Sequence, residues 1–308
     1  MERRWDKLAM LFKLEATYGT DATPVAANAI IGTSVTFTPI EGQEISRDLM
    51  LPYLGNQGMI LAGIYARLEF EFEIAGSGTA GVPPRWGDLV RAAGMAETIT
   101  AGTDVRYTII EEGVESGSMY FISDKVQHVL LGCQVNIAPS LTPSTVPRFR
   151  ATLLGLLGTI TDIAAMPAVT TANWIDPLEV SDENTVMSLH GWNAIAESVS
   201  LDLGNTLSPR MLIGAKRIRI SARSSTGTAV VEAQDLATIN WFDIALKCQR
   251  GPLSVVHGIE AGNIVEFVAP SVQIGRPTQG QTDNLVNYSL PLSLCPVHGL
   301  DELKIIVR

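Results

Sequence analysis

The clearest pattern of apolar and polar positions in this chain lies between Glu41 and Ile74. Leu68, Phe70, Phe72 and Ile74 recur with a period of two, and Glu69, Glu71 and Glu73 fill the positions between them. That alternation predicts a strand with one packed face and one wet, acidic face. An extended segment precedes it, and residues 47–58 join the two as a loop too long for a tight hairpin. Arg47, Asp48, Leu49, Met50, Leu51, Pro52, Tyr53 and Leu54 crowd apolar groups into that loop. Exposed apolar surface of that extent marks an interaction site, and the expected partner is another subunit.

Elsewhere the pattern is β-rich. Residues 1–33 predict an amphipathic start and an extended arm with turns at Gly19, Asp21 and Pro24. Strands are expected at 34–40, 105–110, 118–126, 130–137 and 148–157, with the proline-bearing stretch between the last two read as a loop. Trp86, Leu89, Val90 and Ala93 fall at i, i+3, i+4 and i+7, one face of a short helix stopped by Gly94. Residues 158–195, with Pro167, Pro177 and the acidic Asp182–Glu183, read as a connector. Beyond it strands are expected at 199–203, 217–222, 265–268, 272–274, 286–292 and 303–307, with a helix at 241–248.

The order of elements begins again after the connector. Trp86 and Asp88 match Trp241 and Asp243 at the same spacing, Gln134-Val135 matches Gln273-Ile274, and Phe149, Ala151 and Leu153 match Tyr288, Leu290 and Leu292. These matches predict two tandem domains, 1–157 (with the arm 1–33 and the loop 47–58) and 196–308, separated by the connector 158–195. The first copy then carries an insertion near 97–117. The strand matched to the acidic one carries Arg217, Arg219 and Arg223; either that register is wrong or its wet face points elsewhere.

Composition narrows the function classes. Of 308 residues, 46% are hydrophobic and 18% charged, enough to build a core and far from disorder. A formal charge of −10 argues against gripping nucleic acid, which takes clustered Lys and Arg. Three distant cysteines without a CxxC predict free, buried thiols in a reducing compartment. No apolar run reaches the length of a membrane span, so no membrane insertion is expected. His128, His190, His257 and His298 lack metal-ligand spacing, and no GxSxG or HExxH occurs. Neither an enzyme nor a cofactor is expected, and Asp88 and Asp243, in the first turn of their helices, read as dipole partners with the two tryptophans as buried anchors.

KLEATYGTDATPVAANAI at 13–30, then EISRDLMLPYLG at 44–55, then the alternating strand, resembles the tail tube (major tail) proteins of long-tailed, siphophage-type bacteriophages. The second half resembles them through the repeat and its β-rich character. The resemblance implies a mainly β fold of two tail-tube-like β-sandwiches, each flanked by a short helix, whose inner sheets join in a ring as a β-barrel channel. It implies a virion structural protein, made in the host cytoplasm, whose rings stack around the tape-measure protein and later conduct DNA without gripping it. Its other partners would be tail terminator and baseplate proteins. Under that resemblance Glu69, Glu71 and Glu73 line the lumen and Arg47–Leu54 reach an adjoining ring. With two domains per chain, three chains would close a pseudo-hexameric ring. The alternatives are another tail ring component, such as a terminator or baseplate hub, and a carbohydrate- or receptor-binding sandwich using Trp174, Trp192 or Trp241 on a wet face.

Overall fold

The computed structural model describes residues 2–172 and 174–308, so Met1 of the basic start and Asn173 of the expected connector lie outside the described residues. Its first strand, β1 (Leu8–Leu14), and the short β2 (Ala29–Ile30) fall in the stretch read as an arm. Met10, Leu11 and Phe12 are all buried, so both faces of β1 are covered and no alternation betrays it. The opening hairpin is longer than its pattern, with β3 (Thr33–Ser46) and β4 (Met59–Glu73).

The predicted helix is α1 (Gly87–Ala92), shorter than expected, with Trp86 at its N-cap and Gly94, at φ 84°, just beyond its end. A hairpin of β5 (Met95–Thr100) and β6 (Asp104–Ile109) fills the stretch read as an insertion. Then come β7 (Gly117–Ser123), β8 (Val126–Leu141) and β9 (Arg148–Asp162). The expected connector begins inside β9 and carries β10 (Thr185–Leu189) and β11 (Trp192–Asn193). The remainder is β12 (Ala196–Asp202), β13 (Asn205–Leu212), β14 (Ala215–Arg223), β15 (Thr226–Glu232), α2 (Trp241–Leu246), β16 (Arg250–His257), β17 (Val265–Ile274), β18 (Thr278–Thr282), β19 (Leu285–Leu294) and β20 (Lys304–Val307).

Among the described residues pairing is antiparallel throughout, and one network of 18 strands holds all but the separate β13–β14 hairpin. The same series of neighbours occurs twice. In the first half it runs β1, β7, β8, β9, β4, β3. In the second it runs β10, β16, β17, β19, β15, β12. Two junctions join the series. β8 continues into β12 through Leu141↔Val199 and Ser140↔Ser200, and β20 pairs with both β17 and β6. A hydrophobic core runs through both halves, with the Phe149 and Phe267 rings 5.8 Å apart at its centre. The network does not close into a barrel within one chain: among the described residues β3 is paired only by β4, and β18 only by β19.

The closing strands fix the register between the halves. Phe149, Ala151 and Leu153 oppose Phe72, Phe70 and Leu68, whereas Tyr288, Leu290 and Leu292 oppose Val231, Ala229 and Gly227. The counterpart of the acidic part of β4 is therefore β15, and the arginine-bearing 217–223 is β14 of the separate hairpin. That resolves the open question of the arginines as a wrong register. Of the three thiols only Cys133 is buried, and Cys248 is exposed past the end of α2, which corrects the expectation that all three would be.

Candidate functional site

On β4 the side chains of Leu68, Phe70 and Phe72 are buried, as is Ile74 just past its end, while Glu69, Glu71 and Glu73 face outward and are half-buried. The neighbouring β9 brings Arg148 and Arg150 onto the same face. Arg150 reaches diagonally to Glu69 at 3.1 Å, Arg148 to Glu71 at 3.5 Å, and Arg67 also pairs with Glu69. Burial pushes the Glu69 carboxyl up, but hydrogen bonds from Arg150 and Arg67 outweigh it and hold the group below the usual carboxylate range. The wet face is a mosaic of carboxylates and guanidinium groups, where the sequence pattern showed only the acidic half. On β15 the corresponding outward positions are Thr228, Val230 and Glu232.

Beyond its contact with β9, the β3–β4 hairpin projects as an arm. Met50 and Leu54 are fully exposed at its tip, and Ile45, Leu49, Leu51, Tyr53, Met59, Ile60 and Leu61 are exposed around them. The Gln57 side chain closes the loop by bonding to both backbone groups of Leu49, so the tip has a fixed shape with its apolar groups outward. The second half carries its own arm, β13–β14, closed by the two residues Ile213 and Gly214, the latter at φ 86°. That arm folds onto the first half. Tyr18 Oη accepts from the Ile218 backbone N–H at 2.6 Å, Arg217 lies 5.6 Å from the centre of the Tyr18 ring, and Asn205 Nδ2 donates to the carbonyls of Ala93 (2.7 Å) and Val135 (3.2 Å).

Asn205 belongs to a polar lock between the halves. Asn136 Nδ2 donates to Asp202 Oδ1 at 2.8 Å, the Asn205 N–H donates to Asn136 Oδ1 at 2.8 Å, and the Gly204 N–H donates to Asp202 Oδ1 at 2.7 Å. Replacing Asn205 with alanine strands two buried carbonyls, which costs about 1–3 kcal/mol. Urea unfolding should show the midpoint lowered accordingly; a midpoint unchanged from wild type would remove the lock from the account.

The helix anchors sit in different surroundings. Trp86 is buried, packs on Phe149 and Tyr107 at 5.2 and 5.7 Å, and donates its indole N–H to the Ala75 carbonyl at 2.8 Å. Trp241 is equally buried beside Trp192 at 5.7 Å, but its N–H finds no acceptor among the described residues. Asp88 belongs to a carboxylate cluster around Arg91, which binds Glu115 through two 2.7 Å bonds and lies 3.8 Å from Asp88 and 3.7 Å from Glu97. Burial pushes the Asp88 carboxyl up against the pull of Arg91, with Glu97 and Glu115 adding to the rise. Its environment thus works against its charge, although it stands in the first turn of α1. In the second half Asp243 pairs with Lys247 at 2.7 Å, and Asn240 caps α2 by accepting from the Asp243 N–H.

A raised folded-state carboxyl means the folded chain binds more protons than the unfolded one, so its stabilising contribution is lost as pH rises. Asp88→Asn removes that loss. Thermal melts should show the variant gaining on wild type as pH rises through the ordinary carboxylate range and beyond, and holding the gain once the raised Asp88 carboxyl is ionised. A gain that grows toward acid would reverse the sign of the argument.

Two features of these surfaces escape the sequence, and one expectation is corrected. Arg148 and Arg150 alternate within RFRATLL and could have been read as cross-strand partners, but nothing local shows which strand lies beside them. Asn136, Asp202 and Asn205 come together only through the junction of the halves. Trp174 and Trp192, weighed as exposed platforms, are half-buried instead: Trp174 bonds to the Ala29 carbonyl at 3.1 Å and Trp192 packs on Trp241.

Fold and surfaces together define a class: an antiparallel β protein with open sheet edges, a mixed-charge sheet face and one projecting apolar arm. A family model described as Phage tail tube protein matches residues 5–293. The chain belongs to that family, which makes it a structural component of the virion tail whose role is self-assembly into tube rings. No curated protein matches the chain.

Proposed function

We propose that this chain is a ring subunit with two tail-tube-like domains, about 1–157 and 196–308, and that three copies close one pseudo-hexameric ring. The observation that carries this reading is the series of strand pairings that occurs twice along the chain, with the two series already joined edge to edge through β8 and β12. Rings stack through the exposed arm residues Arg47–Leu54. The lumen is the face bearing Glu69, Glu71 and Glu73, around the tape-measure protein first and DNA later; terminator and baseplate proteins would cap the ends, and assembly would take place in the host cytoplasm.

The mixed charge of that face suits non-gripping passage. An arginine whose guanidinium is engaged by a glutamate is a poor phosphate ligand, and the glutamates repel the polyanion. Image averaging of tubes grown from purified protein tests the reading. Threefold symmetry with two unlike domains alternating around each ring is the expected result. Strict sixfold equivalence overturns it.

A further inference from the structure

We infer that the junction between neighbouring chains repeats the internal β8–β12 junction, so that β3 of one copy pairs antiparallel with β18 of the next, Val35 opposite Gln281 and Thr36 opposite Gly280. The inference rests on the ring proposed above, and its register comes from pairings within the chain.

On one side of the internal junction, Ser140 opposes Arg148, the residue before Phe149. In the second half Gly280 opposes Asn287, the residue before Tyr288. Since Phe149 and Tyr288 hold the same place against β4 and β15, Gly280 stands where Ser140 does, and Gln281 where Leu141 does. On the other side, Ser200 opposes Thr228, the residue before Ala229, and Thr36 opposes Glu69, the residue before Phe70. Phe70 and Ala229 are likewise equivalent through Ala151 and Leu290. Thr36 therefore takes the place of Ser200, and Val35, the next residue toward the bulge between Thr33 and Thr36, takes that of Val199.

Among the described residues both strands have the needed edge unpaired. β18 is exposed along its whole length and β3 over most of its own, an arrangement that invites another strand unless something covers it. The occupant is a second copy of this chain because the chain already shows how such an edge is filled. A strand in the place of β3 lies on an edge in the place of β18, with Val199 and Leu141 both buried at the seam. The outer junction is the weaker of the two. It sets Val35 against a glutamine rather than a leucine, and Gly275, in the place of Asn136, has no side chain to build the lock that Asn136, Asp202 and Asn205 make inside the chain.

Directly opposed antiparallel residues lie about 4.5–5.5 Å apart at Cα, within reach of a disulfide. The test uses full-length chains carrying Cys248→Ser and Cys295→Ser, with Val35→Cys and Gln281→Cys added, assembled and then oxidised. Non-reducing gels should show the monomer converted to covalent dimers and trimers, while the displaced pair Val35→Cys with Gln279→Cys stays monomeric. Tubes that form but do not cross-link, or cross-link equally with the displaced pair, overturn the register and leave the ring reading standing. Covalent species larger than trimers support the register and overturn threefold closure. If cysteine variants fail to assemble, the register read from a reconstruction of unmodified tubes decides: β3 beside β18 in this register supports the inference, and any other neighbour overturns it. Wild-type protein that forms neither rings nor tubes overturns both.

Discussion

Chains carrying Met50→Ser with Leu54→Ser should fold as wild type and fail to grow tubes, stopping at single rings. Both side chains are fully exposed in the folded subunit, so their loss removes no contact within it, and surface changes of this kind stay within about 0.5 kcal/mol. In a stacked tube the same side chains would be buried against the adjoining ring. Burying a large aliphatic side chain is worth about 1.5–3 kcal/mol, so the pair would contribute roughly 3–6 kcal/mol per subunit, and each 1.4 kcal/mol is a factor of ten in association. Because several subunits make this contact at once, the loss multiplies across the ring. Sedimentation and negative-stain length distributions give the answer: rings with the unfolding midpoint of wild type are expected, and tubes of normal length would place the stacking contact elsewhere.

The second large effect is on stability. Trp86→Ala should cost about 3–5 kcal/mol, the range for emptying an aromatic site in a packed core. The indole is 1% exposed and wedged between Phe149 and Tyr107. Truncating Trp241, also 1% exposed, should cost a similar amount. The two sites part company when the replacement is phenylalanine. Trp86→Phe abandons the Ala75 carbonyl, a buried acceptor whose desolvation costs about 1–3 kcal/mol, while Trp241→Phe removes an N–H that has no acceptor among the described residues. Urea midpoints should therefore fall further for Trp86→Phe than for Trp241→Phe. Equal falls would mean that the hydrogen bond to Ala75 carries no weight.

What the sequence disclosed follows from how each segment is buried. β4 was legible because one face is core and the other carries carboxylates. α1 was legible because its tryptophan and aliphatic residues fall on one helical stripe. β15 stayed hidden because Val230, an apolar residue, stands on its outward face and blurs the alternation of Ala229 and Val231 with Thr228 and Glu232. That gap is why the arginines of β14 were matched to the wrong partners. Prolines misled as well. Pro252 and Pro270 lie together in the bulge between β16 and β17, and Pro139 lies in β8 beyond its last pairing with β7 and just before its first with β12. In those positions no ladder hydrogen bond is asked of the proline, so strands run through all three, including Pro139 in the stretch expected to be a loop. Of the candidate surface, the arm and the carboxylates could be read locally, whereas the arginines answering them and the lock at Asn205 exist only once distant segments meet.

The unequal arms carry a consequence for how rings mate. The arm of the first half ends in a long apolar loop, whereas that of the second ends in the two-residue turn at Ile213 and Gly214 and is folded onto its own chain. In the proposed ring of three such chains, three long teeth would face the neighbouring ring. Successive rings would then seat only at every third of a turn, like a keyed shaft. The angular offset from ring to ring would be indexed by the longer loop alone, leaving the second half free to vary its surface without disturbing the pitch.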